Sequence, residues 1–278
     1  MLKGRIKEVK LRPVKCSCNL LLISNCEETE NHLLYGAYPK VIQSTEKPLV
    51  LSFLYKDYIQ KDIVEILQLG KPDVLQKLIS LLAHNSGQLV NYNQLALDCQ
   101  VTFATIKHYL DILEKTYIIV RLSPFSHNKR TEITSNPIYY FIDNGFRNFA
   151  LNNFSATTTR TDLGLLVEGT IFQELYKYRE QHYLQYDIHY WRTKSGAEVD
   201  FVLYFNDEFI LPIEVKYQNM KHANLSRSYR SFIEAYKPKT GIVITKNFIG
   251  KMEVGDCTIQ FIPLVQIEKL FQLIDARL

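Results

Sequence analysis

Residues 196–216 read GAEVDFVLYFNDEFILPIEVK, and this stretch decides the fold. It predicts two strands joined by Asn206, Asp207 and Glu208. Successive strand residues point to opposite faces of a sheet. Ala197, Val199, Phe201, Leu203 and Phe205 therefore share one face, and Phe209, Leu211, Ile213, Val215 and Tyr217 share the matching face. Both rows are apolar and need one core, so a one-residue slip would expose one of them. The register that aligns the rows pairs Phe205 with Phe209 across a short hairpin loop. Counting back, Asp200 lies opposite Glu214, and Glu198 lies opposite Lys216. Directly opposed Cβ atoms sit about 4.5–5.5 Å apart, and like charges there repel. Two facing carboxylates need a cation, a shared proton or open water. Val202, Ile210 and Pro212 lie on the same face, so this is not a plain charged exterior.

Asp200 and Glu214 together present carboxylate oxygens to a hard ion such as Mg²⁺ or Mn²⁺. Such an ion activates water and stabilises charge on a phosphate. Lys216, two residues beyond Glu214 on the same face, would steady a developing anion or help deprotonate the attacking water. Glu168, on a preceding helix, would join the carboxylates. Glu174, six residues on, reads as sharing roughly the same helix face. The competing reading is a solvated face of ordinary ion pairs, with Glu198 as the partner of Lys216.

Working outward, apolar residues recur at helical spacing over 49–69, and Gly70 and Pro72 end that helix. Asp73 then caps a helix carrying Val74, Leu75, Leu78, Ile79 and Leu82. A short helix follows at Asn93–Cys99, and a third at 101–115 with Phe103, Ile106, Leu110 and Leu113 inward. Strands at 117–122 and 138–143 complete a winged helix-turn-helix. The polar run 150–162 marks a boundary. Beyond it the order is helix (164–179), strand (188–192), the opening hairpin, helix (225–236), strands (241–245, 258–262) and helix (264–276). The fold class is mixed α/β. Three parts are expected: 1–48, a helical and winged-helix domain over 49–155, and an α/β domain over 156–278.

Glu168, Asp200 and Glu214-Val215-Lys216 in an αβββαβ order resemble the PD-(D/E)XK nuclease fold, which includes restriction endonucleases and archaeal Holliday-junction resolvases. That likeness covers 161–262. A wider one takes in GRIKEVKLRPV (4–14), YGAYPKVI (35–42), YIQKDI (58–63), NYNQLA (91–96), YFIDNGFRN (140–148), GLLVEGTIFQEL (164–175), WRTKSGAEVDFV (191–202) and IEVK (213–216). These resemble the C-terminal half of a bacterial and archaeal AAA+ ATPase family, in which a P-loop ATPase precedes a winged helix and a nuclease-like domain of uncharacterised function. The resemblance implies that residues 1–48 hold the end of an ATPase domain. A Walker A motif, whose backbone amides cradle phosphates, does not occur in this sequence. The expectation is a truncated relative or one part of a split gene, with no ATP site and no ATP hydrolysis of its own.

The net charge of +4, from 33 basic and 29 acidic residues, is too small to argue nucleic-acid binding unless bases cluster. Lys107 and His108 on the third helix, Lys129 and Arg130 in the wing loop, and Arg227 and Arg230 beside Lys221 and His222 are such groups. They suit sequence-independent phosphate contact. The base-reading residues Arg, Asn and Gln are missing from the third helix. Five cysteines without an export signal or a long apolar run predict a reduced, cytoplasmic setting and no membrane span. Cys16, Cys18, Cys26 and His32 lack structural-zinc spacing and read as ordinary residues. Two functions follow: a metal-dependent DNA nuclease or DNA-processing module, or a catalytically inactive nuclease-fold module that binds DNA, a protein partner or a separate ATPase chain.

Overall fold

The computed structural model describes residues 26–65, 70–126, 136–206 and 209–276. The chain begins there with α1 (Cys26–Tyr35), α2 (Pro39–Ile42) and α3 (Lys47–Lys56), which runs on as a wider π-helical segment over Asp57–Glu65. Next come α4 (Pro72–His84), α5 (Tyr92–Cys99), α6 (Phe103–Lys115), β1 (Ile119–Pro124), β2 (Ile138–Phe141) and α7 (Asn144–Ala150). The second half is α8 (Leu163–His182), β3 (Asp187–Arg192), β4 (Glu198–Asn206), β5 (Phe209–Lys216), α9 (Arg227–Tyr236), β6 (Thr240–Thr245), β7 (Gly250–Val254), β8 (Cys257–Pro263) and α10 (Glu268–Asp275). No described helix is long and apolar enough to cross a membrane.

The helical half forms because its apolar rows need each other. Leu75, Leu78, Ile79 and Leu82 of α4 pack with Leu95 of α5 and Ile106, Leu110 and Leu113 of α6. Burial of each such side chain is worth about 1.5–3 kcal/mol. Caps set the starts: Asn91 accepts from the Asn93 and Gln94 amides, and Thr102 accepts from Thr105. Two expectations change here. Asp73 is not the cap of α4; Pro72 already stands in the helix, and Asp73 lies in its first turn, where an acid favours the helix dipole. Phe103 does not face the core but is 44% exposed, because Tyr109 takes the inward place beside Ile106 and Leu110.

One mixed sheet of eight strands, ordered β2-β1-β3-β4-β5-β6-β8-β7, runs through both halves. β1 pairs parallel to β3 through Ser123–His189 and Pro124–Tyr190. The β1–β2 ribbon is thus continuous with the larger sheet. Every residue of β2 is buried, with Ile138 and Tyr140 in the sheet core and Tyr139 and Phe141 in the helical core. In the second half α8 and α10 cover one sheet face and α9 the other. β5 and β6 run parallel, joined by α9, whereas β3, β4 and β5 form an antiparallel meander. β7, an edge strand antiparallel to β8, is absent from the sequence-based order because its polar composition carries no buried face.

Several stretches that carried the family likeness meet at one polar knot. Gly36 has φ +76°, and a Cβ there would stand 2.0 Å from Asp143 Oδ1. Asp143 accepts from the Ala37 and Phe146 amides, at 2.7 and 3.3 Å. The buried Asn148 donates to the carbonyls of Leu33 and Leu34, and Asn144 and Gln173 tie α7 to α8 and β2. Before α8, Asp162 holds two buried arginines, Arg147 at 2.9 Å and Arg160 at 2.7 Å.

Candidate active site at the end of the sheet

Strands β3, β5 and β6 finish, and β4 begins, at one end of the sheet. There the register of β4 against β3 slips: Val202 faces His189, but Val199 faces Trp191. Asp200 and Phe201 together stand against Tyr190, which is a β-bulge and re-aims the side chains around it. The expectation that Ala197, Val199, Phe201, Leu203 and Phe205 share a face is therefore corrected. Val199 packs with Val202 on the α9 side, and Ala197 lies against that core, whereas Phe201 and Leu203 pack under α8.

Against β5 the expected register holds from Phe201–Ile213 to Tyr204–Ile210. It shifts only at the hairpin, where Asn206, not Phe205, faces Phe209 and accepts from its amide. One step past Phe201–Ile213 stands Asp200. Its Oδ2 accepts from the Val215 amide at 2.7 Å, taking the place of a ladder carbonyl. Glu214 turns toward α9, and its Oε2 accepts from the Ser226 hydroxyl at 3.2 Å. Ser226 also caps α9 by accepting from Tyr229. Lys216 Nζ stands 3.4 Å from Glu214 Oε1. Glu198 is thus not the partner of Lys216; its ion pair is with Arg192, across the β3–β4 ladder, at 3.4 Å.

Glu168 approaches from α8, and its Oε1 accepts from the Tyr140 hydroxyl. Glu174 does not share its direction, since six residues are about 1.7 turns at 3.6 residues per turn. It faces α1 instead, 3.1 Å from Lys177 and 3.5 Å from His32, and against the effect of burial the Lys177 ammonium, with His32 beside it, holds its carboxyl down at about 2.

The acids interact through space. Burial pushes Asp200 well above the usual carboxylate range, and the charges of Glu168, Glu214 and Glu198 add to the rise. Burial also lifts Glu168 to about 7, helped by Glu198 and opposed by the Tyr140 hydrogen bond. A raised carboxyl weakens the fold as pH climbs from its ordinary 4.5 through about 7, because the unfolded chain releases its proton first. Glu168→Gln is therefore expected to stabilise the protein at pH 8 by about 3 kcal/mol. The gain should vanish below pH 4.5, checked by chemical denaturation at both pH values.

All these donors are carboxylate oxygens, the chemistry of a hard divalent ion, and Mg²⁺ commonly takes one or two carboxylates and fills its shell with water. Asp200 and Glu214 supply one carboxylate each, with Asp200 Oδ2 on the Val215 amide and the Glu214 oxygens on Ser226 and Lys216. Among the described residues no group of three or more His, Cys, Asp or Glu side chains is spaced to hold an ion.

Exposed bases rim the same end. Arg192 and Lys194 belong to the end of β3 and the turn after it, Lys221, His222, Arg227 and Arg230 to the β5–α9 connection and the first turns of α9, and Lys246 follows β6. Lys194 and Lys246 escaped sequence reading, since only strand direction places them here. Lys107 and His108 are exposed elsewhere, on α6, where Lys107 lies 5.8 Å over the Phe103 ring. Lys129 and Arg130 lie outside the described residues, as do Cys16 and Cys18.

The arrangement defines a mixed α/β protein with a carboxylate and lysine cluster at a sheet end. Residues 26–158 match the domain of unknown function DUF8612, and residues 163–267 match the domain of unknown function DUF4143. An uncharacterized protein of Haemophilus influenzae is 23% identical across 94% of this chain and 65% of its own length. One from Mycobacterium tuberculosis is 24% identical across 63% of this chain and 38% of its own, and one from Methanocaldococcus jannaschii is 20% identical across 78% and 45%. The chain thus spans less than two thirds of the length of each of these relatives. Among solved structures, a Thermococcus gammatolerans assembly of McrB AAA+ hexamers with bound McrC aligns at TM-score 0.31 and 10% identity, over 69% of this chain and 47% of that one.

Proposed function

We propose that this chain is a DNA-processing module whose sheet end hydrolyses phosphodiesters with a divalent ion, in the manner of the PD-(D/E)XK nucleases it resembles. The observation that carries this reading is the convergence of Asp200, Glu214 and Lys216 with the helical Glu168, at the sheet end that exposed bases surround. The α8-β3-β4-β5-α9-β6 order supports it as well. Asp200 and Glu214 would hold Mg²⁺ or Mn²⁺, which supplies Lewis acidity and an activated water. Lys216, 3.4 Å from Glu214 Oε1, would neutralise charge on a scissile phosphate. Glu168, with its carboxyl near 7, can take or give a proton at neutral pH. The bases of the rim bind the backbone without reading sequence. The sequence likeness also suggests that an AAA+ ATPase unit acts alongside this chain.

The test is incubation with plasmid, junction and single-stranded DNA plus each ion. Cleavage is expected, and it should be lost in Asp200→Ala. Cleavage no greater than that of the variant, on every substrate, would reject the activity. A second reading, a catalytically inactive module, is favoured by one feature: Asp200 Oδ2 and both Glu214 oxygens already have protein partners. It expects DNA or protein binding that survives Asp200→Ala. In either case Arg227→Ala with Arg230→Ala should lower the slope of log affinity against log salt by about 2, measured by fluorescence anisotropy.

A further inference from the structure

We propose that Tyr140 is the positioning residue for Glu168, and that the bare turn at Gly87 keeps this contact closed. The ribbon and the α4–α5 turn would thereby complete the site at the sheet end. The inference rests on the reading of that site given above.

Tyr140 belongs to β2, far from α8 in sequence, yet its hydroxyl donates to Glu168 Oε1. Its ring is held from two directions. It stacks on Phe172, one helical turn beyond Glu168, with centroids 4.6 Å apart and planes 19° apart. It also meets Phe201, the neighbour of Asp200, at 5.7 Å. The phenol is only 1% exposed. A ring fixed this tightly fixes its hydroxyl, and the hydroxyl selects one oxygen and one direction for the acid.

Gly87 closes the contact from outside. Its amide donates to the Tyr139 carbonyl at 3.1 Å, which presses the turn onto β2. A Cβ at Gly87 would stand 3.1 Å from Glu168 Oε1 and 3.3 Å from the Tyr140 ring. With φ at +81°, any other residue there is also strained. Gly87 and Tyr140 lie in the region matched by one family model and Glu168 in the region matched by the other. The acid of the second region is therefore set by the first.

Tyr140→Phe keeps the ring and removes the oxygen. In the full chain, melting is measured for wild type, Tyr140→Phe, Glu168→Gln and the double variant. Mn²⁺-dependent plasmid cleavage is followed in wild type, Tyr140→Phe and Gly87→Ala. Melting shifts that do not add are expected, since the two groups touch. The expected kinetic result for Tyr140→Phe is a kcat at least tenfold lower (about 1.4 kcal/mol by the rate relation) with KM unchanged. Gly87→Ala should move kcat in the same direction. Additive melting shifts beside intact wild-type cleavage would overturn this inference alone. Non-additive shifts with unchanged kcat would also overturn it, leaving Tyr140 a packing residue. No Mn²⁺-dependent cleavage by wild type would remove the reading of the site, and this inference with it.

Discussion

Asp162→Ala should lower the melting temperature by about 10 °C, corresponding to about 3–5 kcal/mol for stripping the partner from a buried charge. The side chains of Arg147 and Arg160 are 2% and 0% exposed, and Asp162 accepts from both. Without it two guanidinium groups share a dry site, each repelling the other. Arg160 loses two hydrogen bonds of 2.7 Å, and Arg147 keeps mainly the Ala83 carbonyl. The same geometry sets a pH dependence. Hydrogen bonds from Arg160 come first among the causes that hold the Asp162 carboxyl at about 2. Its contribution is present above the ordinary value of 3.8 and is lost as pH falls through about 2. Melting followed by circular dichroism from pH 7 to pH 2 should show wild type converging on the variant at the acid end. Equal melting at pH 7 would show that the arginines find other partners.

Asp200→Asn should leave folding intact and lower metal-dependent cleavage by about 100–1000-fold, the scale of losing one charge-stabilising group in an active site. Asparagine retains an oxygen for the Val215 amide, so the strand contact survives. It removes a charge that Glu168, Glu214 and Glu198 oppose, so the variant should melt at or above the wild-type temperature at pH 8. The combination is diagnostic. A merely structural aspartate would leave both stability and cleavage intact in Asp200→Asn, because its Val215 contact survives, whereas a metal-holding one loses activity alone. Single-turnover cleavage and melting of the same preparations check both halves.

Much of this molecule is legible in its residues because burial imposes a period. The α8 row of Leu166, Val167, Ile171, Phe172 and Leu175 is buried as its spacing requires. The β4–β5 register follows from two apolar rows that must meet. Legibility fails where the backbone departs from its period. Nothing in EVDFV announces a bulge, so the side chains before Asp200 fall on the other face. The polar run DNGFRN gives no apolar period from which to read α7; its Asn148 and Arg147 are buried because distant groups take their hydrogen bonds, the Leu33, Leu34 and Ala83 carbonyls and the Asp162 carboxylate. Nothing local in the 138–143 strand links Tyr140 to a glutamate on a helix beyond the polar boundary. The central cluster was found because it lies within one hairpin and one motif, whereas the basic rim needed the strand directions.

The proposed chemistry turns on a divalent ion held between Asp200 and Glu214. Crystals soaked in Mn²⁺ and measured at the manganese edge test it most directly. The expected result is an anomalous peak in contact with carboxylate oxygens of both residues, absent from Asp200→Asn crystals. A map without that peak at saturating Mn²⁺, with Asp200 still on the Val215 amide and Glu214 still on Lys216, would contradict it.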